Sequence, residues 1–492
     1  MIRHPANLPL SQRIFLSGRN LSIRVVLYNQ EGLWILTGIF FYQVLVSGTM
    51  QPKNIKQQPE DRGKVSVIQI YSDDQVEEDY GHAKELYGKF NVDTDAVLKR
   101  LADLEISMHC WQGDDVTGLE ANANGLSGGG IMATGNYPGK PRNGQELRAD
   151  MKKAMSLIPG KQRVNLHASY AETDGKFVER DQLKPEYFQK WVSWAKENHI
   201  GIDFNSTFFS HPMADSGFTL ASRDKEVRKF WIRHAKACRE IAAAMGRELG
   251  SPVIHNIWIP DGSKDLPANR MIHRRILKDS LDEILSVKYD EHYIKDAVES
   301  KLFGIGSEAY VVGSHEFYMG YALTRDIMIC LDAGHFHPTE GIADKISALL
   351  NFSGEILLHL SRGVRWDSDH VPILNDDLMA IAHEVIRCNV LDRVHIALDF
   401  FDASINRLSA WVIGTRNAMK AMLIAMLEPA DLLQEAEESG NLGNRLALME
   451  EFKTLPCGAV WNKFCLDQHV PVGADWLNSV KEYEDSVLAN RK

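Results

Sequence analysis

The chain of 492 residues has no closely spaced pair of cysteines and no excess of positive charge. Its cysteines are scattered, so they indicate neither a zinc knuckle nor a disulfide framework and favour reduced thiols in the cytoplasm. The formal net charge of −11 argues against a protein that follows nucleic-acid phosphates, because such proteins normally present a basic face. The six cysteines are Cys110, Cys238, Cys330, Cys388, Cys457 and Cys465.

The apolar run Leu33–Val46 is shorter than the roughly 17–25 residues that cross a bilayer as a helix. Arg13, Arg19 and Arg24 precede it, and together with the run they resemble a signal or anchor sequence with a long leading stretch. The alternative that we favour is that translation begins at Met50. The polar segment 51–63 is predicted to be a linker.

Beyond residue 100, eight short β-prone runs alternate with amphipathic helical segments, a pattern typical of parallel strands joined by crossover helices. Several runs are almost entirely apolar, as expected of strands that are covered on both faces. The predicted strands are Ile106–Trp111, Arg163–His167, Gly201–Asn205, Val253–Trp258, Asp296–Lys301, Ile327–Asp332, Ile356–His359 and Val394–Asp399. The predicted helices between them include Glu146–Leu157, Glu186–Glu197, Lys225–Leu249, Arg275–Val287 and Ala403–Met426.

Eight repeats of strand and helix predict a (β/α)₈ TIM barrel with additional terminal helices. An open doubly wound sheet is the alternative, and it would need a phosphate-binding glycine turn after its first strand. The glycines from Gly113 to Gly144 instead form a long polar segment, which is more typical of an active-site lid than of that turn, although a purely structural loop remains open. We expect three parts: an N-terminal extension over 1–73, the barrel over 74–428 and a helical extension over 429–492.

Polar residues occur where the last four predicted strands end, and active sites of TIM barrels lie at those ends. Each residue alone could be a helix cap or a hydrogen-bonded core group. Together they would bury several carboxylates at one rim, at a high cost in free energy unless a cation is present. The residues are Glu299, Asp332, His359 and Asp399 at the strand ends, with His335, Asp367 and Asp369 shortly after strands six and seven.

These seven donors are oxygens and imidazoles without a thiolate, a set that suits Mn²⁺, Mg²⁺, Co²⁺ or Zn²⁺. They are too many for one ion that also binds a substrate. We therefore expect two divalent ions, one enclosed by protein and one with open positions.

Further candidates surround this rim. Lys301, on the face of the strand that carries Glu299, is predicted to polarise a substrate oxygen or to pair with a ligand carboxylate. His167 could assist ring opening of a sugar, and Trp258 could stack on the sugar or pack in the core. Asp114 and Asp115 either organise the loop or touch substrate. His337 is not assigned as a ligand.

Motifs from Asp74 to the C-terminus, including SMHCWQGDDV, NIWIPDG, DAVESKLFGIG, LDAGHFHPTE, VRWDSDHV and LDFFDASINR, resemble those of the L-rhamnose isomerase family in order and spacing. The resemblance implies a metal-dependent aldose–ketose isomerase of rhamnose catabolism. It also implies a cytoplasmic homotetramer that uses Mn²⁺ and a small sugar, with no nucleic-acid partner and no membrane contact of the catalytic domain. The first 73 residues fall outside the resemblance.

The resemblance also divides the ligands between the two ions. A structural ion would be held by Glu299, Asp332, His359 and Asp399. A catalytic ion would be held by His335, Asp367 and Asp369. In the reaction, hydrogen would pass directly between C2 and C1 or through an enediol formed by a base such as Asp399 or Lys301. The resemblance favours the direct hydride transfer, and the sequence alone leaves the choice open.

Two other functions are alternatives. A two-metal barrel hydrolase would want a basic cluster near the ions, of which only Lys301 and Arg365 are visible. A non-catalytic sugar-binding protein would need aromatic platforms but has no reason to assemble seven metal ligands. The isomerase is therefore the preferred hypothesis.

Overall fold

The computed structural model describes residues 70–120, 133–304, 306–365 and 369–491, and the backbone of 23–29 and 32–38. The chain divides into two compact units, Met1–Ser66 and Val67–Lys492. The first contains an antiparallel pair of strands, Ile23–Asn29 and Gly32–Gly38. The start of the apolar run at Leu33 thus lies in a strand, while its remainder and the predicted linker 51–63 lie outside the described residues.

The second unit contains a closed barrel of eight parallel strands in chain order, with β8 next to β1 and β5 next to β6. This confirms the predicted (β/α)₈ architecture. The strands are β1 (Glu105–His109), β2 (Lys161–His167), β3 (Gly201–Asn205), β4 (Val253–Trp258), β5 (Ile294–Glu299), β6 (Met328–Asp332), β7 (Ile356–Leu360) and β8 (Val394–Leu398).

Fourteen α-helices accompany the barrel in the described residues. They are α1 (Asp73–Gly88), α2 (Thr94–Asp103), α3 (Gly144–Met155), α4 (Gln189–Asn198), α5 (Lys225–Leu249), α6 (Arg270–Ile284), α7 (His315–Arg325), α8 (Ala343–Leu350), α9 (Asp376–Arg387), α10 (Arg407–Met426), α11 (Ala430–Glu438), α12 (Leu442–Phe452), α13 (Cys457–Asp467) and α14 (Trp476–Ser486). None of the helices in the described part of the chain has both the length and the apolar character needed to cross a membrane.

Local sequence explains where these elements begin and end. The longest helix, α5, begins after Asp224, whose carboxylate accepts hydrogen bonds from the backbone N–H groups of Glu226 and Val227. It ends at Leu249, and the following Gly250 adopts the left-handed conformation with φ of +65°. In β6 all five residues are buried, because outward side chains meet helices and inward ones fill the barrel. Strong caps and apolar runs therefore fix the alternation of strand and helix.

Several predicted elements differ from the structure by a few residues, and two of these differences lie at the rim of the barrel. The fifth strand ends at Glu299, so Lys301 follows the strand and is not part of it. The last barrel helix begins at Arg407, after an Asn406 cap, while Ala403 pairs with Gly135 in a two-residue strand. In both cases polar residues at the rim of the barrel break the regular pattern where the site is built.

Candidate metal centre

The ends of four neighbouring strands bring three carboxylates to one imidazole. Glu299 and Asp332 are the last residues of β5 and β6, His359 is the second-last residue of β7, and Asp399 directly follows β8. One ligand atom from each of these four residues lies within 4.8 Å of the other three. The structure therefore brings together the four strand-end residues that the resemblance assigned to the enclosed ion.

The ring of His359 lies at the centre of this group. Its Nδ1 is 3.3 Å from a Glu299 oxygen, 3.5 Å from Asp332 Oδ2 and 3.4 Å from Asp399 Oδ2. None of these contacts has hydrogen-bond geometry, and neither ring nitrogen has a hydrogen-bond partner among the described residues. His359 is 1 % exposed, so unpaired nitrogens there are costly unless a ligand binds them.

One carboxylate oxygen of Asp332 is fixed by hydrogen bonds, and the other is left for the group of candidate metal ligands. Its Oδ1 accepts hydrogen bonds from the Gly334 backbone N–H at 2.6 Å and the Ser361 hydroxyl at 3.0 Å. Its Oδ2 has no hydrogen-bond partner in the described parts of the chain, although the side chain is fully buried. A buried carboxylate oxygen of this kind fits a divalent cation, which prefers hard oxygen ligands.

Two residues that the sequence argument did not assign orient the other carboxylates. The Trp111 indole donates a hydrogen bond to Asp399 Oδ1 at 2.9 Å, and the Asn256 amide donates to Glu299. Asn256 lies on β4 two residues before Trp258, so strand alternation could have placed both on the barrel interior. No local signal in the sequence indicates the Trp111 contact, which depends on how β1 and β8 meet.

Burial and neighbouring charge have opposite net effects on the pKa values of Glu299 and Asp332. In Glu299 burial would raise the pKa, but the positive charges of His359 and His335 outweigh it and hold the pKa below its usual range. In Asp332 burial prevails and raises the pKa. A bound cation would favour the ionised form of Asp332.

A second group shares Asp332 with the first. Asp332, His335 and Asp369 each offer a ligand atom within 4.8 Å of the other two. His335 Nδ1 also lies 3.0 Å from a Glu299 oxygen. The third predicted ligand of the open ion, Asp367, lies outside the described residues. Asp332 is thus a member of both groups in the structure, whereas the resemblance assigned it to the enclosed ion alone.

The predicted substrate residues surround these groups. The Trp258 ring stacks on the His335 ring with centroids 6.3 Å apart, and the Lys301 ammonium lies 5.5 Å from the Trp258 ring centroid. His167, at the end of β2, shares a hydrogen bond of 3.1 Å between its Nδ1 and the Thr207 hydroxyl. Burial lowers the pKa of His167 to about 4, so its ring is neutral at pH 7.

The acidic pair after β1 organises the loop in which it lies. Asp114 accepts hydrogen bonds from the Tyr170 hydroxyl at 2.5 Å and the Gly118 backbone N–H at 2.8 Å. Asp115 forms a bidentate ion pair with Arg407 at 2.8 Å. These contacts support the structural alternative for both carboxylates. The middle of the predicted lid, residues 121–132, lies outside the described residues.

A cavity of about 620 Å³ opens at the opposite end of the barrel, where the strands begin. It is lined in part by Arg163, whose guanidinium bonds to Asp203, to Glu105 and to two backbone carbonyls. Because the guanidinium of Arg163 is paired with carboxylates there, this end is suited to stabilising the barrel. The candidate chemistry is at the other end.

Comparison with known proteins agrees with this geometry. The family model for L-rhamnose isomerase (RhaA) matches residues 74–491. The L-rhamnose isomerase of Rhodopirellula baltica is 56 % identical over 416 residues, which cover 85 % of this chain and 97 % of the relative. That of Mannheimia succiniciproducens is 57 % identical, with 85 % and 99 % covered, and that of Salmonella paratyphi B is 55 % identical, with the same coverage.

Proposed function

The chain belongs to the L-rhamnose isomerase family, and from this premise we propose that it interconverts L-rhamnose and L-rhamnulose as an aldose–ketose isomerase. The observation that carries the proposal is the convergence of Glu299, Asp332 and Asp399 on the His359 ring, whose nitrogens have no hydrogen-bond partner among the described residues. This group lies at the end of the barrel where catalytic residues belong. A non-catalytic sugar-binding protein has no need of this donor set.

We propose two divalent cations, with Mn²⁺ as the usual ion. Glu299, Asp332, His359 and Asp399 would hold the enclosed ion, and His335, Asp367 and Asp369 would hold the catalytic one. Bound there, the ions would supply Lewis acidity that polarises a carbonyl and acidifies a hydroxyl of the sugar.

The chain's own residues would bind and orient the sugar. Trp258 offers an indole face that is already aligned with His335, and the Lys301 ammonium beside it would donate a hydrogen bond to a substrate oxygen. His167 is neutral at pH 7, so its Nε2 could accept the proton of a ring hydroxyl during ring opening. Asp399, fixed through Oδ1 by Trp111, is the carboxylate proposed to handle a proton near the reacting carbons.

We propose a cytoplasmic homotetramer in which residues 74–428 form the catalytic domain, 1–73 an N-terminal extension and 429–492 a helical extension. The helical extension contacts the region after the lid, since Arg491 donates hydrogen bonds to the Gly139 carbonyl and to Asp150. It would therefore support the loop beside the site.

The test is an isomerase assay with L-rhamnose after treatment with EDTA and resupply of one metal at a time. We expect activity to vanish with EDTA and to return with Mn²⁺. Asp369→Asn should lower turnover more than about 100-fold in a folded protein, since losing a ligand exceeds the 10–100-fold cost typical of losing a supporting residue. Asp174→Asn is the matched control, because Asp174 is a surface carboxylate paired with Lys190 and should leave turnover unchanged. EDTA-resistant activity, or near-normal activity of Asp369→Asn, would refute the assignment.

A further inference from the structure

A buried thiol lies beside the enclosed metal position. Cys330 is two residues before Asp332 on β6, so strand alternation directs both side chains into the barrel. The backbone register pairs Cys330 with Glu299 on β5. Glu299, Cys330 and His359 each offer a ligand atom within 4.8 Å of the other two, and all three residues are buried.

This three-residue group differs from the four-residue group in one donor type. Both groups use Glu299 and His359, but one adds the oxygens of Asp332 and Asp399 and the other adds the sulfur of Cys330. Hard ions such as Mn²⁺ and Mg²⁺ prefer oxygen, whereas Cd²⁺ and Zn²⁺ bind readily to sulfur and imidazole. The two groups therefore suit different ions at overlapping positions.

The thiol lies between an apolar cluster and the polar groups of the candidate site. Cys330 belongs to a cluster of buried residues formed with Ile254, Ala297, Met328, Leu357 and Ala397. On the polar side, the His359 ring has no hydrogen-bond partner at either nitrogen within the described chain. In the three-residue group, the polar atoms near the Cys330 sulfur belong to Glu299 and His359, and both of these residues are candidate metal ligands.

We propose that Glu299, Cys330 and His359 form an alternative site for a thiophilic divalent cation such as Cd²⁺. Because it shares two ligands with the four-residue group, such a cation would compete with the enclosed ion of the proposed function, on which this inference rests. On binding, the thiol S–H bond breaks, its proton leaves to the buffer, and the sulfur forms a bond to the cation without any change of oxidation state.

The experiment titrates the full-length Mn²⁺-loaded protein with Cd²⁺ and follows the ultraviolet thiolate-to-cadmium absorption and the released Mn²⁺. The ¹¹³Cd NMR spectrum is recorded on the same protein loaded with diamagnetic Mg²⁺, because a paramagnetic Mn²⁺ ion left in the neighbouring group would broaden the resonance beyond detection. We expect one equivalent of Cd²⁺ to displace Mn²⁺ and to give a sulfur-ligated resonance. Cys330→Ser and Cys330→Ala should both lose that resonance and bind Cd²⁺ at least about tenfold more weakly at this position.

Cys238→Ser is the matched control. Cys238 is also fully buried and has its sulfur 3.6 Å from a ring nitrogen of His234, but it lies on α5 outside the carboxylate group. This variant should retain the wild-type Cd²⁺ signal, and the contribution of the exposed Cys388 is common to all variants.

Two outcomes overturn the inference. A resonance from oxygen and nitrogen ligands alone in the wild-type protein would show that Cd²⁺ uses the carboxylate set, and it decides the matter even if neither Cys330 variant folds. An unchanged sulfur-ligated signal in a folded Cys330 variant would show that another cysteine supplies the sulfur ligand of Cd²⁺. Both outcomes leave the two-metal isomerase intact, whereas failure to bind Mn²⁺ or to isomerise L-rhamnose would refute the proposed function itself.

Discussion

Histidines in this barrel differ in what their nitrogens contact, and this decides their roles. His359 has no hydrogen-bond partner within the described residues and faces three carboxylates. His234, in contrast, accepts a hydrogen bond from the Thr207 N–H at 3.1 Å through Nε2 and donates to the Arg180 carbonyl at 2.9 Å through Nδ1. The first pattern suits a metal ligand and the second suits a structural core group.

His234 makes the stability of the protein depend on pH. Burial lowers its pKa from 6.5 to about 3, so below pH 6.5 the unfolded chain binds a proton that the folded chain does not. The contribution of His234 to stability is therefore complete above pH 6.5 and is lost as the pH falls, by up to about 1.4 kcal/mol per pH unit. Urea unfolding of the wild type and of His234→Gln between pH 7.5 and 5 should show a flatter profile for the variant, even though it is less stable at neutral pH.

The control for this prediction is His292→Gln, which replaces an exposed histidine next to Asp290. Its pH profile should run parallel to that of the wild type. Equal slopes for wild type and His234→Gln would mean that His234 does not titrate as its burial requires.

At the scale of single elements, α5 shows how close packing reverses a helix propensity. Alanine normally stabilises a helix interior by about 1 kcal/mol relative to glycine. A Cβ at Gly246, however, would lie 1.9 Å from the Tyr293 carbonyl oxygen, which belongs to backbone and cannot rotate away. Gly246→Ala should therefore destabilise the protein by about 1–3 kcal/mol, as measured by chemical denaturation.

Gly320 is the matched site for that comparison, because it is exposed in the middle of α7 and an added Cβ would meet nothing within 4 Å. Gly320→Ala should raise the free energy of unfolding by about 1 kcal/mol. If both variants shifted stability in the same direction, the close approach of α5 to Tyr293 would not be what requires glycine.

The elements themselves can be predicted because their signals are local. The strands Gly201–Asn205 and Val253–Trp258 and the helix Lys225–Leu249 have the predicted bounds. The prediction for the fifth strand is displaced by two residues, because Asp296, a polar residue paired with Arg239, resembles a strand start. A pairing partner 57 positions away along the chain is not visible in a local pattern.

The candidate site also has a part that local sequence predicts and a part that it does not. Its carboxylates and histidines lie at the ends of strands or shortly after them, so the sequence and the barrel rule together are enough to place them at one rim. The contacts between them are not predictable, because Cys330 beside Glu299 and Trp111 beside Asp399 depend on register and barrel closure. The alternation of β6 does offer a signal for Cys330, since it lies two residues before Asp332 on the same strand.

At the scale of the whole molecule, the match to relatives and the compactness of the chain give nearly the same boundary. The family model begins at residue 74, and the compact unit that contains the barrel begins at Val67. Alignment to this chain covers 97 % and 99 % of two relatives' own lengths. The barrel with its terminal helices therefore accounts for what these relatives contain, and the residues before it are an addition to that common part.

This leads to a prediction about the N-terminal residues. A chain that begins at Met50 should isomerise L-rhamnose with the same kcat and KM as the full-length chain and should have the same melting temperature, because every proposed ligand and substrate residue lies beyond β1 and α1 begins at Asp73. Activity assays and thermal unfolding of the two chains, each saturated with Mn²⁺, make the comparison. Removing residues 1–102 instead, which deletes α1 and most of α2, should abolish folding, since α1 and α2 supply the buried Tyr80, Tyr87 and Leu101 to the main core. A loss of activity or stability in the chain from Met50 would show that residues 1–49 contribute to the working enzyme.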